Sequence, residues 1–131
     1  MPHNPLLDLH KLGQSVWLDD LGRAMLADGS LARLIREDGL AGVTSNPSIF
    51  AHSMMKDPQY AAALQQRLAT ATTSMALYES LAIEDVQAGA DLFANLYRES
   101  SRADGFVSLE VSPHIAYDSA ASSSRIAVNP G

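Results

Sequence analysis

The sequence predicts an α/β fold: about three parallel strands with covering helices. Three observations point to it. Short apolar runs at 15–18, 41–44 and 106–111 each stop on a polar or turn-forming residue. Helical patterns lie between these runs, giving the strand–helix–strand alternation of βαβ units in a parallel sheet. The clearest helical pattern, at 84–102, carries Val86, Ala90, Phe93 and Tyr97 on one apolar stripe, at the i, i+4, i+7, i+11 spacing of a helix packed on a layer.

The elements follow in order. Pro2, Pro5 and Gly13 punctuate the start, and 6–12 reads as a short helix or arm. The first strand, 15–18, runs into Asp19 and Asp20, which stand where a helix N-cap is expected. A short helix at 21–27, a break at Asp28-Gly29-Ser30 and a second helix at 31–37 follow, with Leu31, Leu34 and Ile35 on one face. Asp38-Gly39 is a stop signal. After the strand at 41–44, Ser45-Asn46-Pro47 reads as a cap with proline at the first helical position, opening a helix to about 53. Asp57-Pro58 repeats the signature and opens a helix to about 69, with 70–82 a weaker helical stretch rich in Thr and Ser. Glu84 and Asp85 suit the positive N-terminus of the helix at 84–102. Asp104-Gly105 ends it, and Ser112-Pro113 ends the third strand. Residues 1–118 read as one folded unit; 119–131, which includes Ser122-Ser123-Ser124, reads as a Ser-rich, poorly ordered tail.

Composition narrows the function. The chain has 131 residues, 47% of them hydrophobic, enough for one compact domain with a core. A net charge of −6 with scattered charges disfavours a nucleic-acid surface, which needs clustered Lys and Arg. With no cysteine, disulfides, thiolate zinc sites and cysteine nucleophiles are excluded. His3, His10, His52 and His114 lack the spacing of a metal site, so no metal is expected. Neither a Gly-rich phosphate loop nor a nucleophile elbow occurs. No secretory signal or membrane span is read, and a cytoplasmic location is the expectation.

Parallel α/β folds put their chemistry at the carboxyl ends of strands. That makes Asp19, Asn46 and Glu110 candidates for one shared site, with Thr44 and Ser45 able to line it. Each has a structural alternative. Glu110 alternates with Val107, Leu109 and Val111, so it is either a functional carboxylate or a solvated one on an edge strand. Asp19 is either functional or a cap shared with Asp20. Asn46 before proline is a good cap whatever else it does, and Thr44 and Ser45 can simply satisfy backbone groups.

Taken together, Trp17-Leu18-Asp19-Asp20-Leu21, Gly42-Val43-Thr44-Ser45-Asn46-Pro47-Ser48-Ile49-Phe50 and Ser108-Leu109-Glu110-Val111-Ser112-Pro113 resemble the N-terminal part of a bacterial transaldolase, from about Leu6 to Asp118. The resemblance implies part of a (β/α)8 TIM barrel. It also implies transfer of a dihydroxyacetone unit between sugar phosphates in the pentose phosphate pathway, through a lysine Schiff base and with no cofactor. The implied roles are substrate-hydroxyl proton transfer for Asp19, acid/base work through a water for Glu110, and substrate hydrogen bonding for Thr44, Ser45 and Asn46; Ser45 stands where many relatives have Thr.

One component departs from this pattern. The only lysines are Lys11 and Lys56, and neither falls on a predicted strand, where desolvation lowers an amine pKa. The family's Schiff-base lysine lies on the strand after that of Glu110. The expectation is therefore a truncated transaldolase: a gene fragment, a frameshifted product or part of a split protein, inactive alone. A barrel with three of eight strands leaves a sheet edge unpaired. Self-association or a complementing C-terminal chain is the expected partner, beside a sugar-phosphate substrate.

Overall fold

Among the described residues three strands, β1 (Val16–Asp19), β2 (Leu40–Ser45) and β3 (Phe106–Leu109), pair in the order β1-β2-β3, both pairs parallel. This is the parallel sheet expected of a partial barrel. A computed structural model describes residues 2–110, 117, 118 and 120. The helices are α1 (Pro5–Lys11), α2 (Arg23–Ala27), α3 (Ser30–Glu37), α4 (Pro47–Lys56), α5 (Gln59–Leu68) and α6 (Ser74–Glu99).

Side-chain alternation sets the two faces of the sheet. Val43 and Ser45 of β2 turn toward the helices, in step with Leu18, Val107 and Leu109 on the neighbouring strands. There Val43 joins Leu21, Leu31, Phe50, Val86 and Phe93 in the buried core. Each such side chain contributes about 1.5–3 kcal/mol when fully buried. Trp17 and Phe106 lie on the opposite face, 39% and 41% exposed. The Trp17 ring lies across Gly42, where a Cβ would stand 2.6 Å from Trp17 Cε2.

Local chemistry explains several boundaries. Asn46 caps α4, accepting from Ile49 N at 3.0 Å, with Pro47 in the first turn; such a cap is worth about 1 kcal/mol. Thr73 caps α6 in the same way, accepting from Ala76 N at 3.0 Å. After α6 the chain turns through two non-glycine left-handed residues, Ser101 (φ 54°) and Arg102 (φ 70°). Gly105 N then donates to Ala41 O at 2.7 Å and starts β3.

Several expectations from sequence need correction. The stretch at 70–82 and the helix at 84–102 are largely one helix, α6, because Thr73 supplies a cap that the Thr/Ser-rich composition obscured. Glu84 and Asp85 therefore stand in mid-helix, where the N-terminal dipole does not reach. Asp19 and Asp20 do not cap α2: Asp19 closes β1, and the N-cap of α2 is Gly22, without a side-chain bond. The helix α4 runs past its expected end near 53 to Lys56. The expected end of the third strand at Val111, its Ser112-Pro113 stop and, Ala120 apart, the 119–131 tail lie outside the described residues.

Candidate functional site

All three strands are parallel, so their carboxyl ends meet at one end of the sheet. The register sets Asp19 beside Thr44 and Thr44 beside Ser108 in a single row. By alternation this row faces away from the helices, on the side of Trp17, Gly42 and Phe106. Asp19 and Ser108 are exposed and Thr44 is half-buried. The Thr44 hydroxyl donates to Asp19 Oδ1 at 2.7 Å, tying the first two strand ends together. The bond orients the Asp19 carboxylate through Oδ1 and leaves Oδ2 without a hydrogen bond among the described residues.

Glu110 follows β3 and extends the ladder by one step, its N donating to Ser45 O at 3.2 Å. It keeps the alternation of Phe106 and Ser108 and is exposed. Two inter-strand spacings, about 10 Å, separate the Asp19 and Glu110 strands. Asn46 shares the parity of Thr44; its Oδ1 serves α4 as a cap, which leaves the side-chain NH2 as a donor.

Ser45 is placed differently. It is 2% exposed, on the helix-facing side, and its hydroxyl has no hydrogen-bond partner among the described residues. Of the sequence-derived candidates, Asp19, Thr44, Asn46 and Glu110 thus share one face and Ser45 lies behind it. Ser108, in the same row as Asp19 and Thr44, was missed as a candidate, although its alternation with Glu110 signals it.

Neither lysine lies on a strand. Lys11 ends α1, exposed, and pairs with Asp8 at 2.9 Å. Lys56 is the exposed last residue of α4. Among the described residues no group of three His, Cys, Asp or Glu is arranged to hold a metal ion, and no helix is long and apolar enough to cross a membrane.

Where β1 leads into α2 lies a partly buried polar circuit that no local sequence pattern signals. Arg23 Nε donates to Asp85 Oδ1 at 2.8 Å, and the Tyr60 hydroxyl donates to Asp85 Oδ2. Arg23 Nη2 reaches Glu84 Oε2 at 2.5 Å, and Arg67 meets the same oxygen at 2.6 Å. Burial raises the Asp85 carboxyl above the ordinary range, only partly offset by Tyr60 and Arg23. Burial pushes Glu84 up as well, but bonds from Arg67 and Arg23 outweigh it and leave Glu84 below its usual range. Burial first, and Asp85 second, push the Tyr60 hydroxyl far upward, so it stays protonated and donating at neutral pH.

Parallel strands with polar tips converging at their carboxyl ends define the class: a βα-type scaffold with its candidate chemistry on the strand ends. Comparison with known proteins specifies it further. Residues 16–125 match the family model for transaldolase and fructose-6-phosphate aldolase. The chain is 47% identical over 111 residues to a transaldolase of Thiobacillus denitrificans, covering 85% of this chain and 31% of that protein. It is 36% identical over 118 residues to one of Trichodesmium erythraeum (90% and 31%), and 41% identical over 116 residues to one of Neisseria meningitidis serogroup C (86% and 32%). The chain belongs to the transaldolase/fructose-6-phosphate aldolase family. It spans about a third of the length of the curated relatives it matches.

Proposed function

We propose that this chain supplies the acid/base half of a transaldolase site, which transfers a dihydroxyacetone unit between sugar phosphates. The observation that carries the reading is the 2.7 Å bond from Thr44 to Asp19 at the carboxyl ends of adjacent parallel strands. The bond holds one carboxylate oxygen and frees the other to take the proton of a substrate hydroxyl as a carbon–carbon bond breaks. Glu110, two strands away, serves as acid/base through a water on the carbinolamine. Thr44 and the Asn46 amide bind substrate hydroxyls. Ser45 acts from behind the face, as a packing residue at the strand end.

The Schiff-base nucleophile of this reaction is a lysine on an apolar strand, where desolvation favours the neutral amine. Lys11 and Lys56 are both exposed on helices, so the 131 residues alone are inactive in this proposal. The test is borohydride trapping with fructose 6-phosphate, read by mass spectrometry. No adduct is expected on the chain alone, and an adduct is expected on the strand lysine once a polypeptide matching the remaining two-thirds of a relative is added. A covalent adduct on Lys11 or Lys56 would overturn this division of labour.

A second reading is a non-catalytic module that associates through its sheet. Among the described residues β1 and β3 each keep one unpaired edge, and Trp17 and Phe106 stand 39% and 41% exposed beside them. Light scattering on a gel-filtration column separates the readings: a discrete dimer supports association, and a monomer removes self-association.

A further inference from the structure

We infer that Tyr60 and Asp85 are positioning residues for Asp19: their side chains fix the backbone where β1 passes into α2. The inference rests on Asp19 handling a substrate proton as proposed above. Only Asp20, Leu21 and Gly22 separate Asp19 from α2. That helix has five residues, and Gly22 at its N-cap offers no side-chain acceptor. Its leading N–H groups are satisfied from other elements. Arg23 N donates to the Tyr60 hydroxyl at 3.1 Å, and Ala24 N donates to Asp57 Oδ2 at 3.1 Å.

The Tyr60 hydroxyl accepts from the Arg23 backbone and donates to Asp85 Oδ2. Asp85 takes the Arg23 side chain on its other oxygen at 2.8 Å. The circuit therefore closes on a single residue, held by its backbone at one end and its guanidinium at the other. The guanidinium also lies 5.0 Å from the centre of the Tyr60 ring. Tyr60 is fully buried and Asp85 3% exposed. An apolar pair of the same volume would stabilise such a site as well or better. What an apolar pair cannot do is cap a five-residue helix in one orientation. Leu21, fully buried, anchors the same segment from the core side. Between these two anchors the chain that leaves Asp19 has no slack, and the carboxylate stays on the Thr44 hydroxyl.

Tyr60→Phe and Asp85→Asn in the 131-residue chain test this by NMR. Tyr60→Phe keeps the ring and removes the shared hydroxyl. The expected result is amide exchange at Arg23 and Ala24 faster by about tenfold or more. Val43 and Phe93 keep their protection, and the Asp19 carboxyl and Thr44 side-chain carbon resonances move together at fixed pH. Asp85→Asn still accepts from Tyr60, so it gives a smaller change in the same direction. A purely structural role predicts a uniform loss of protection, Val43 and Phe93 included, with Asp19 and Thr44 unmoved. That result overturns the inference, as does failure of both variants to fold, which would make the circuit a requirement of the fold as a whole. Failure of the transaldolase reading appears elsewhere, as no Schiff base when the lysine strand is supplied, and leaves these resonances as they are.

Discussion

The two faces of the sheet are built to opposite rules from the same three strands. Toward the helices stand Leu18, Val43, Val107 and Leu109, packed on or within a core with Phe50, Val86 and Phe93. On the other face stand Asp19, Thr44, Ser108 and Glu110, with Trp17 and Phe106 further back along the strands. Val43 is buried, and its neighbour Thr44 bonds a carboxylate on the far side. A strand that alternates in this way holds its polar, candidate-site side chains in place through the packing of the residues between them. Stability and chemistry thus fall on adjacent positions and are separable by mutation.

The strongest test sets the faces against each other. Phe93→Ala, in the core, is expected to cost about 3–5 kcal/mol in urea denaturation. Phe106→Ala, on the exposed face, loses only partial burial and its edge contact with Tyr97 at 5.5 Å, and is expected to cost about 1–2 kcal/mol. Equal costs would break the comparison.

Next in size is Gly42→Ala. The new Cβ would meet the Trp17 ring at 2.6–2.8 Å, so the indole must swing away. The expected cost is about 1–3 kcal/mol. Trp17 is the only tryptophan, so its emission should shift to the red as it enters water; unchanged emission would refute the stacking.

A third test uses pH. The folded state holds the Tyr60 proton more tightly than the unfolded chain does, chiefly through burial. This contribution is complete below the unfolded tyrosine pKa of about 10 and is lost as pH rises beyond it. Alkaline denaturation should therefore steepen above that pH by up to one proton, and Tyr60→Phe should remove that increment. An unchanged alkaline slope in the variant would place the Tyr60 hydroxyl in water.

The smallest effect sharpens the comparison most. Thr44→Val keeps the shape of the strand and removes the hydroxyl bonded to Asp19. Its stability cost is expected to be about 1 kcal/mol or less by thermal melt. A loss as large as that of Phe93→Ala would mean that the exposed face carries the fold as well.

Much of this was legible in the residues. The strands were found because short apolar runs ended on polar tips, and Asn46-Pro47 marked its own helix start by local chemistry. The orientation of Ser45 was also legible, since a residue between Thr44 and Asn46 must face the other way. The run of buried side chains along β2 hid that alternation. Asp19 and Asp20 were expected to cap α2 because acidic residues before a helix commonly do. The observed caps come from Tyr60 and Asp57, more than thirty positions along the chain, and no local pattern encodes such a contact. Glu84 and Asp85 failed for a related reason: their partners, Arg23 and Arg67, are brought to them only by the folded helix layer.

Gly105 governs how the third strand docks. A Cβ there would come within 2.7 Å of Tyr97 N and 3.0 Å of Phe93 O, backbone atoms of α6 that cannot step aside. Its φ of 90° is also one that side-chain-bearing residues avoid. A saturation library should accept almost nothing at this position. Each replacement would lever the strand end that bears Glu110 out of alignment with its neighbours, from five residues away and without touching a polar group.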